Sequence, residues 1–288
     1  MSLPTGYAKH RNLTHVFPSL AASLGATSEN TLNLPSARSA VLLLVDGLGL
    51  EQLQRHSAHA PFLRGVMKRQ TPAQTEMSSV YPSTTAAGLS SLGTGLGPGE
   101  HGLVGYDVYD PQRGVVINQL GGWDERTDPT NWQPQPTIFD TLNAQRDAGD
   151  HGIEPIAVSL PAFEESALTR AALRGPRFIG QSDLAKRFNQ AAYEAQRPGA
   201  LIYLYVNELD KIGHAWGPGS AQWLEVLEEL DSLIRRLSRK LPTGTLAAVT
   251  GDHGMIEVKQ EDRIDFSAHG ELIEHIAHTA GEPRMVQL

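Results

Sequence analysis

Apolar residues follow two rhythms along this chain. Val41-Leu42-Leu43-Leu44-Val45 is a continuous, partly β-branched apolar run that stops at Asp46-Gly47. So short a run, closed by a turn dipeptide, predicts a strand buried on both faces. Pro155–Ser159, Leu201–Val206 and Thr245–Thr250 have the same character. Between these runs, apolar residues recur at helical spacing over Thr137–Arg146, Asp183–Glu194 and Ala221–Leu241. In the last of these, Trp223, Leu224, Leu227, Leu230, Leu233, Ile234 and Leu237 form one stripe, the pattern of a helix packed on a core. Buried strands alternating with helices predict an α/β fold with a mostly parallel central sheet and helices on both faces. Residues 93–114 and 121–136 are rich in Gly and Pro and predict surface loops. No repeat or linker divides the chain, so a single domain over residues 1–288 is expected.

Composition narrows the function classes. The 288 residues suit one large domain or two smaller ones, and 40% hydrophobic with 19% charged residues is ordinary for a globular protein. Twenty-four basic against 32 acidic side chains give a net charge of −8, which argues against a nucleic-acid-binding face. A small phosphate ligand stays compatible, because bound cations reverse the local field. There is no cysteine, which excludes disulfides, thiolate metal sites and a cysteine nucleophile. No run is long and apolar enough to span a bilayer, and the N-terminus lacks a signal-like apolar core. No membrane association and a cytoplasmic location are therefore expected, unless a leader has been removed.

Open α/β sheets place their sites beyond the carboxyl ends of the strands. Three predicted strands end in metal-binding residue types: Asp46 after the first, Asp210 and His214 after Leu201–Val206, and Asp252-His253 after Thr245–Thr250. Carboxylate and imidazole suit Zn²⁺, with Mn²⁺ or Fe²⁺ as alternatives. Each piece also has a plain structural reading. Asp46-Gly47 and Asp252-His253-Gly254 fit turns, and Asp210 with His214 fits an i, i+4 surface pair on a helix. All three landing at strand ends favours the metal reading. His10, His56, His59, His151, His275 and His278 are expected to be solvated or locally bonded. In Tyr81-Pro82-Ser83-Thr84-Thr85-Ala86-Ala87, a helix is expected to begin near Thr85. A hydroxyl there is commonly a cap, but a helix N-terminus also favours an anion and a reactive oxyanion.

The ordered set of Asp46, the Pro-Ser-Thr-Thr-Ala segment, GTGLGPGEHGLVGYDVYDP, DKIGH and GDHGM resembles the alkaline phosphatase superfamily, and most closely its nucleotide pyrophosphatase/phosphodiesterase branch. The resemblance runs from about Val41 to Met255 and implies an alkaline-phosphatase-like α/β hydrolytic domain. By that resemblance Thr85 is the nucleophile, passing through a phosphothreonine intermediate. One metal falls to Asp46, Thr85, Asp252 and His253, and the other to Asp210, His214 and a later histidine. Two divalent ions, zinc first, and a small phosphate-ester or nucleotide substrate are implied.

Two positions depart from the family pattern. An asparagine that contacts a phosphate oxygen is replaced by Tyr106, whose phenol can donate in its place or simply pack in the loop. The last metal histidine belongs to a His-Gly pair far along the chain, and the only later pair here is His269-Gly270, in surroundings that look more like the start of an inserted segment. His269 is thus a weak candidate, and the domain is expected to lack its C-terminal part or to carry an incomplete second site. A phosphodiesterase or nucleotide pyrophosphatase is the leading reading. A phosphomonoesterase or phosphonate hydrolase, or a catalytically impaired metal- or nucleotide-binding homologue, are the alternatives.

Overall fold

The Val41–Val45 run lies within β1 (Ser39–Val45), the second strand from one edge of a five-stranded parallel sheet. The computed structural model describes residues 11–71, 75–150, 152–283 and 285–288; His10 and His151 lie outside them. The other strands of this sheet are β4 (Glu154–Ser159), β5 (Arg177–Gly180), β6 (Ala200–Val206) and β7 (Thr245–Thr250), in the order β5-β4-β6-β1-β7. All pairings are parallel, so every carboxyl end points to the same edge. The continuous apolar run of β1 is explained by burial on both sides. Val41, Leu43 and Val45 share one face with Ile202, Leu204 and Val206, whereas Leu42 and Leu44 share the other with Tyr203 and Tyr205.

Seven helices matter for the site: α1 (Val16–Ser23), α2 (Pro61–Met67), α3 (Thr85–Thr94), α4 (Ile138–Asp147), α5 (Leu184–Glu194), α6 (Glu208–Trp216) and α7 (Ala221–Lys240). The expected stripe on α7 packs, with Phe188 of α5, against the Val41 face. Phe17 of α1, Leu89 and Leu92 of α3 and Phe139 of α4 cover the Leu42 face. Asp231 of α7 ties that helix to α2 on the Val41 face, accepting from the Phe62 and Leu63 N–H groups at the start of α2 at 3.0 and 2.8 Å.

Three features differ from the sequence expectation. β7 is not buried on both faces: it is the edge strand of the sheet, and its residues alternate between partly covered and exposed. β5 is a four-residue strand too short to show a period. The Gly/Pro-rich region is not all loop: β2 (Asp107–Asp110) and β3 (Val115–Asn118) join β8 (Ala280–Glu282) and β9 (Met285–Gln287) in an antiparallel sheet, β3-β2-β8-β9. Such short strands carry little pattern of their own, and Asp107 finds its partner Gly281 only through the tertiary fold.

Near the carboxyl end of β6, the fully buried Arg187 of α5 donates one Nη to the Tyr205 carbonyl at 2.8 Å and the other to the Glu208 carboxylate at the head of α6. Removing one partner of a buried pair is costly mainly when the survivor cannot be solvated. Glu208→Ala strands a buried cation and is predicted to cost about 3–5 kcal/mol. Arg187→Met leaves a carboxylate whose side chain is 29% exposed, and is predicted to cost less. Equilibrium urea unfolding of both variants measures the difference, and equal losses would refute the asymmetry.

Candidate metal centre and nucleophile

Three neighbouring strands, β6, β1 and β7, deliver the acidic groups that the sequence places at strand ends. Asp46 follows β1 and anchors its backbone N–H on the Val206 carbonyl at 2.8 Å. Asp252 follows β7; its Oδ1 accepts from the N–H groups of Gly47 at 3.3 Å and His253 at 3.0 Å. Asp210 lies in the first turn of α6, just beyond β6. Gly47 keeps these elements close: it has φ +73°, and a Cβ there would sit 3.0 Å from Asp210 Oδ1. The positive φ and the tight approach both call for glycine.

Ligand atoms of Asp46, Asp252 and His253 lie within 4.8 Å of one another, a group that could hold a metal ion. His253 Nε2 is 3.2 Å from Asp46 Oδ1 and 3.8 Å from Asp252 Oδ2. Both of those oxygens are buried and lack a hydrogen-bond partner. The other ring nitrogen, Nδ1, is 3.0 Å from the Gly254 carbonyl. A carbonyl can only accept, so Nδ1 carries a hydrogen and Nε2 is the atom turned to the carboxylates. The donor set therefore fits a divalent cation: unpartnered carboxylate oxygens and an oriented imidazole converge on one point.

The electrostatics agree with that fit. Burial and the neighbouring Asp46 charge push the Asp252 carboxyl up. Burial and the same neighbour also raise Asp210. Burial opposes a charge on His253, but the Asp252 and Asp46 carboxylates override it and raise its pKa to about 10. The site is thus short of positive charge, which a cation supplies.

Thr85 opens α3, as its sequence context predicts, and its Oγ1 is 3.1 Å from His253 Nε2. Thr84 occupies the cap position, yet no side chain caps the helix, so the first N–H groups are not taken up by a capping side chain. The small residues after Thr85 permit this placement. A Cβ on Gly88 would lie 3.0 Å from the Asp252 Cβ, so α3 runs directly against the loop that carries Asp252.

The second expected group is only partly assembled. His214 Nε2 lies 3.4 Å from Asp210 Oδ1, but the His214 side chain is 72% exposed. His269 does not join them: its side chain is 52% exposed and its Nδ1 lies 3.7 Å from Glu271. Tyr106 is 42% exposed, just before β2, and its carbonyl accepts from the Gln119 N–H at 2.7 Å. Trp123 and Trp132 pack edge to face at 5.9 Å and donate to the Gln119 and Gly102 carbonyls, at the margin of the core. Of the remaining histidines, His56 packs on Trp223, His59 pairs with Glu228 and His278 stacks on Tyr109.

Two side chains beside the carboxylates, and one that braces α3 further along, are not evident from the sequence. The Tyr205 hydroxyl donates to Asp46 Oδ2. Tyr203 lies on the same sheet face, its hydroxyl buried without a partner. Burial and the carboxylates of Asp46 and Asp252 raise both phenols well above the ordinary tyrosine value. His101, buried at the end of the short helix Pro98–His101, accepts from the Leu103 N–H on Nδ1 at 3.1 Å. Its Nε2 therefore carries the hydrogen, which it donates to Ser91 Oγ of α3 at 2.9 Å.

The sequence model of the type I phosphodiesterase / nucleotide pyrophosphatase family matches residues 40–285. Among curated proteins, the venom phosphodiesterase CdcPDE of Crotalus durissus collilineatus is 25% identical over 245 residues, covering 80% of this chain and 27% of that protein. Ectonucleotide pyrophosphatase/phosphodiesterase family member 3 of Mus musculus is 26% identical over 239 residues, covering 78% and 26%. The chain thus spans about a quarter of the length of these relatives. Among solved structures, an inactive murine ectonucleotide pyrophosphatase / phosphodiesterase 5 in complex with AMP aligns with a TM-score of 0.58 and 19% identity, covering 83% of this chain and 70% of that one. That likeness shows the fold. Among the described residues, no helix is long and apolar enough to cross a membrane.

His101 generates a pH prediction away from the carboxylates. Burial lowers its pKa from 6.5 to about 4. The unfolded chain therefore takes up the proton first, and the contribution to stability is intact above about pH 6.5 and is lost as pH falls toward about 4. The loss amounts to about 3 kcal/mol. Chemical denaturation of His101→Gln across this window is predicted to show a flatter acid limb than the parent; parallel limbs would contradict the assignment.

Proposed function

Because the chain belongs to the type I phosphodiesterase / nucleotide pyrophosphatase family, we propose that it hydrolyses phosphodiester or pyrophosphate bonds in small phosphate esters or nucleotides, with Thr85 as nucleophile. One observation carries this reading: Thr85 Oγ1 stands 3.1 Å from His253 Nε2, at the edge of the Asp46–Asp252–His253 group. A hydroxyl needs activation before it attacks phosphorus, and among the described residues this is the one place where a helix-terminal hydroxyl meets a donor set that could hold a cation. The AMP bound to the structural neighbour supports a nucleotide as one substrate class.

Asp46, Thr85, Asp252 and His253 would hold one ion; Asp210 and His214 would contribute to a second. Zinc suits these donors first, and manganese or iron second. Divalent ions there would supply positive charge that lowers the pKa of the Thr85 hydroxyl and stabilises the charge on the transferring group. The chain's own residues do the rest. Thr85 Oγ1 forms the bond to phosphorus as the bond to the leaving oxygen breaks, giving a phosphothreonine, and water then displaces Oγ1. Backbone N–H groups in the first turn of α3, with no capping side chain, offer donors to the phosphate oxygens. Tyr106, exposed on the loop before β2, would be a further donor to substrate.

Thr85→Ala is predicted to cut turnover of bis(p-nitrophenyl) phosphate about a thousandfold or more. Chelation should silence the parent enzyme, and added zinc should restore it. Two zinc ions per chain are expected by elemental analysis. Preference for p-nitrophenyl phosphate would move the assignment to a monoesterase. A Thr85→Ala protein with full activity would sink the nucleophile, and a folded parent that binds no metal and shows no turnover would mark an impaired homologue.

A further inference from the structure

We infer that Tyr205 is a positioning residue: its phenol fixes the Asp46 carboxylate so that one chosen oxygen, Oδ1, faces the metal. The inference rests on Asp46 being a metal ligand, as proposed above. The placement follows from strand register. Tyr205 pairs with Leu44 across the β1–β6 ladder. Asp46 lies two residues beyond Leu44, so it comes one step further along the same side of the sheet, about 6.6 Å on. A side chain as long as tyrosine bridges that step, and the hydroxyl of Tyr205 donates to Asp46 Oδ2. Both residues are buried, so water does not compete freely for the bond.

The consequence is a division of labour between the two carboxylate oxygens. Oδ2 is engaged by the phenol, whereas Oδ1 is buried without a hydrogen-bond partner and lies 3.2 Å from His253 Nε2. An unrestrained carboxylate can rotate and offer either oxygen. A carboxylate held at Oδ2 offers one in a fixed direction, and groups of this kind tune metal affinity from behind the ligand. Tyr203 provides the internal comparison. It shares the sheet face and stacks on Tyr205 with ring centres 6.1 Å apart, but its hydroxyl reaches no partner. Two phenols share the environment, and only one touches a ligand.

Zinc affinity, measured by competition with a chromophoric chelator, tests this in the parent, Tyr205→Phe, Tyr203→Phe and Asp46→Ala. Each phenylalanine keeps the ring, including the Tyr205 contact with Phe163 at 5.8 Å, so both proteins should fold; melting of the metal-free forms reports on that. Tyr205→Phe should weaken zinc binding about 10–100-fold, and Tyr203→Phe should leave it within about twofold of the parent. A purely structural role for Tyr205 would lower the melting temperature without changing the zinc dissociation constant of the folded protein, and that result would overturn the inference. Equal weakening by the two phenylalanine variants would overturn it as well, because packing would then be the cause. Unchanged affinity in Asp46→Ala would instead refute the metal site itself.

Discussion

The structure turns on the burial of like charges at one sheet edge. Parallel pairing of β6, β1 and β7 sends their carboxyl ends the same way, and Asp210, Asp46 and Asp252 follow those ends. Carboxylates buried together repel and lose solvation. The surrounding chain answers with donors: the N–H groups of Gly47 and His253 for Asp252, the Tyr205 phenol for Asp46, and the His253 imidazole facing both. One carboxylate oxygen of each aspartate, Asp46 Oδ1, Asp210 Oδ1 and Asp252 Oδ2, still lacks a hydrogen-bond partner. The neighbourhood is stable to that extent and no further, and this incompleteness gives it an appetite for cations.

Thr85 meets the same edge from a different direction. Thr85 is brought by a helix lying on the Leu42 face, not by a strand. Close approach requires that α3 carry small residues where it meets the Asp252 loop, and Gly88 meets that need. His101 then ties the far part of α3, through Ser91, to the segment leading to Tyr106. Thr85, the Asp46–Asp252–His253 group and the segment leading to Tyr106 are thereby linked through α3.

Much of this was legible in the sequence, for physical reasons that can be named. The runs at Val41, Pro155 and Leu201 announce themselves because strands buried on both faces must be apolar throughout, whereas the Thr245 run forms the edge strand β7 and is only partly covered. The α7 stripe is visible because a long helix has room for several turns of its period. Asp46, Asp252 and His253 stand at strand ends, where local order and the fold rule coincide. What escaped lacks a local signal. β5 and the β2–β3 pair are too short, and β8 is paired with β2 only by tertiary structure. Tyr205 reads as one more strand residue until the register with Leu44 is known. Arg187 looks like a solvated helix cation, yet it is fully buried. The reach of His214 could not be judged from its spacing to Asp210, because i, i+4 geometry fits a ligand pair and a surface pair equally well.

The position of β1 has a consequence for how the molecule comes into being. β1 is the earliest strand of the main sheet in the chain, but its two neighbours are β6 and β7, the last. Ser39 must find Thr245, and Ala40 must find Leu201. Closing loops of that length is slow, and such topologies fold late and cooperatively. During synthesis the Val41–Val45 run emerges long before anything exists to pair with it, a hydrophobic segment in search of a partner. The same delay means that Asp46 and Asp252 meet only when the sheet is complete, so a half-made chain lacks the assembled Asp46–Asp252–His253 group.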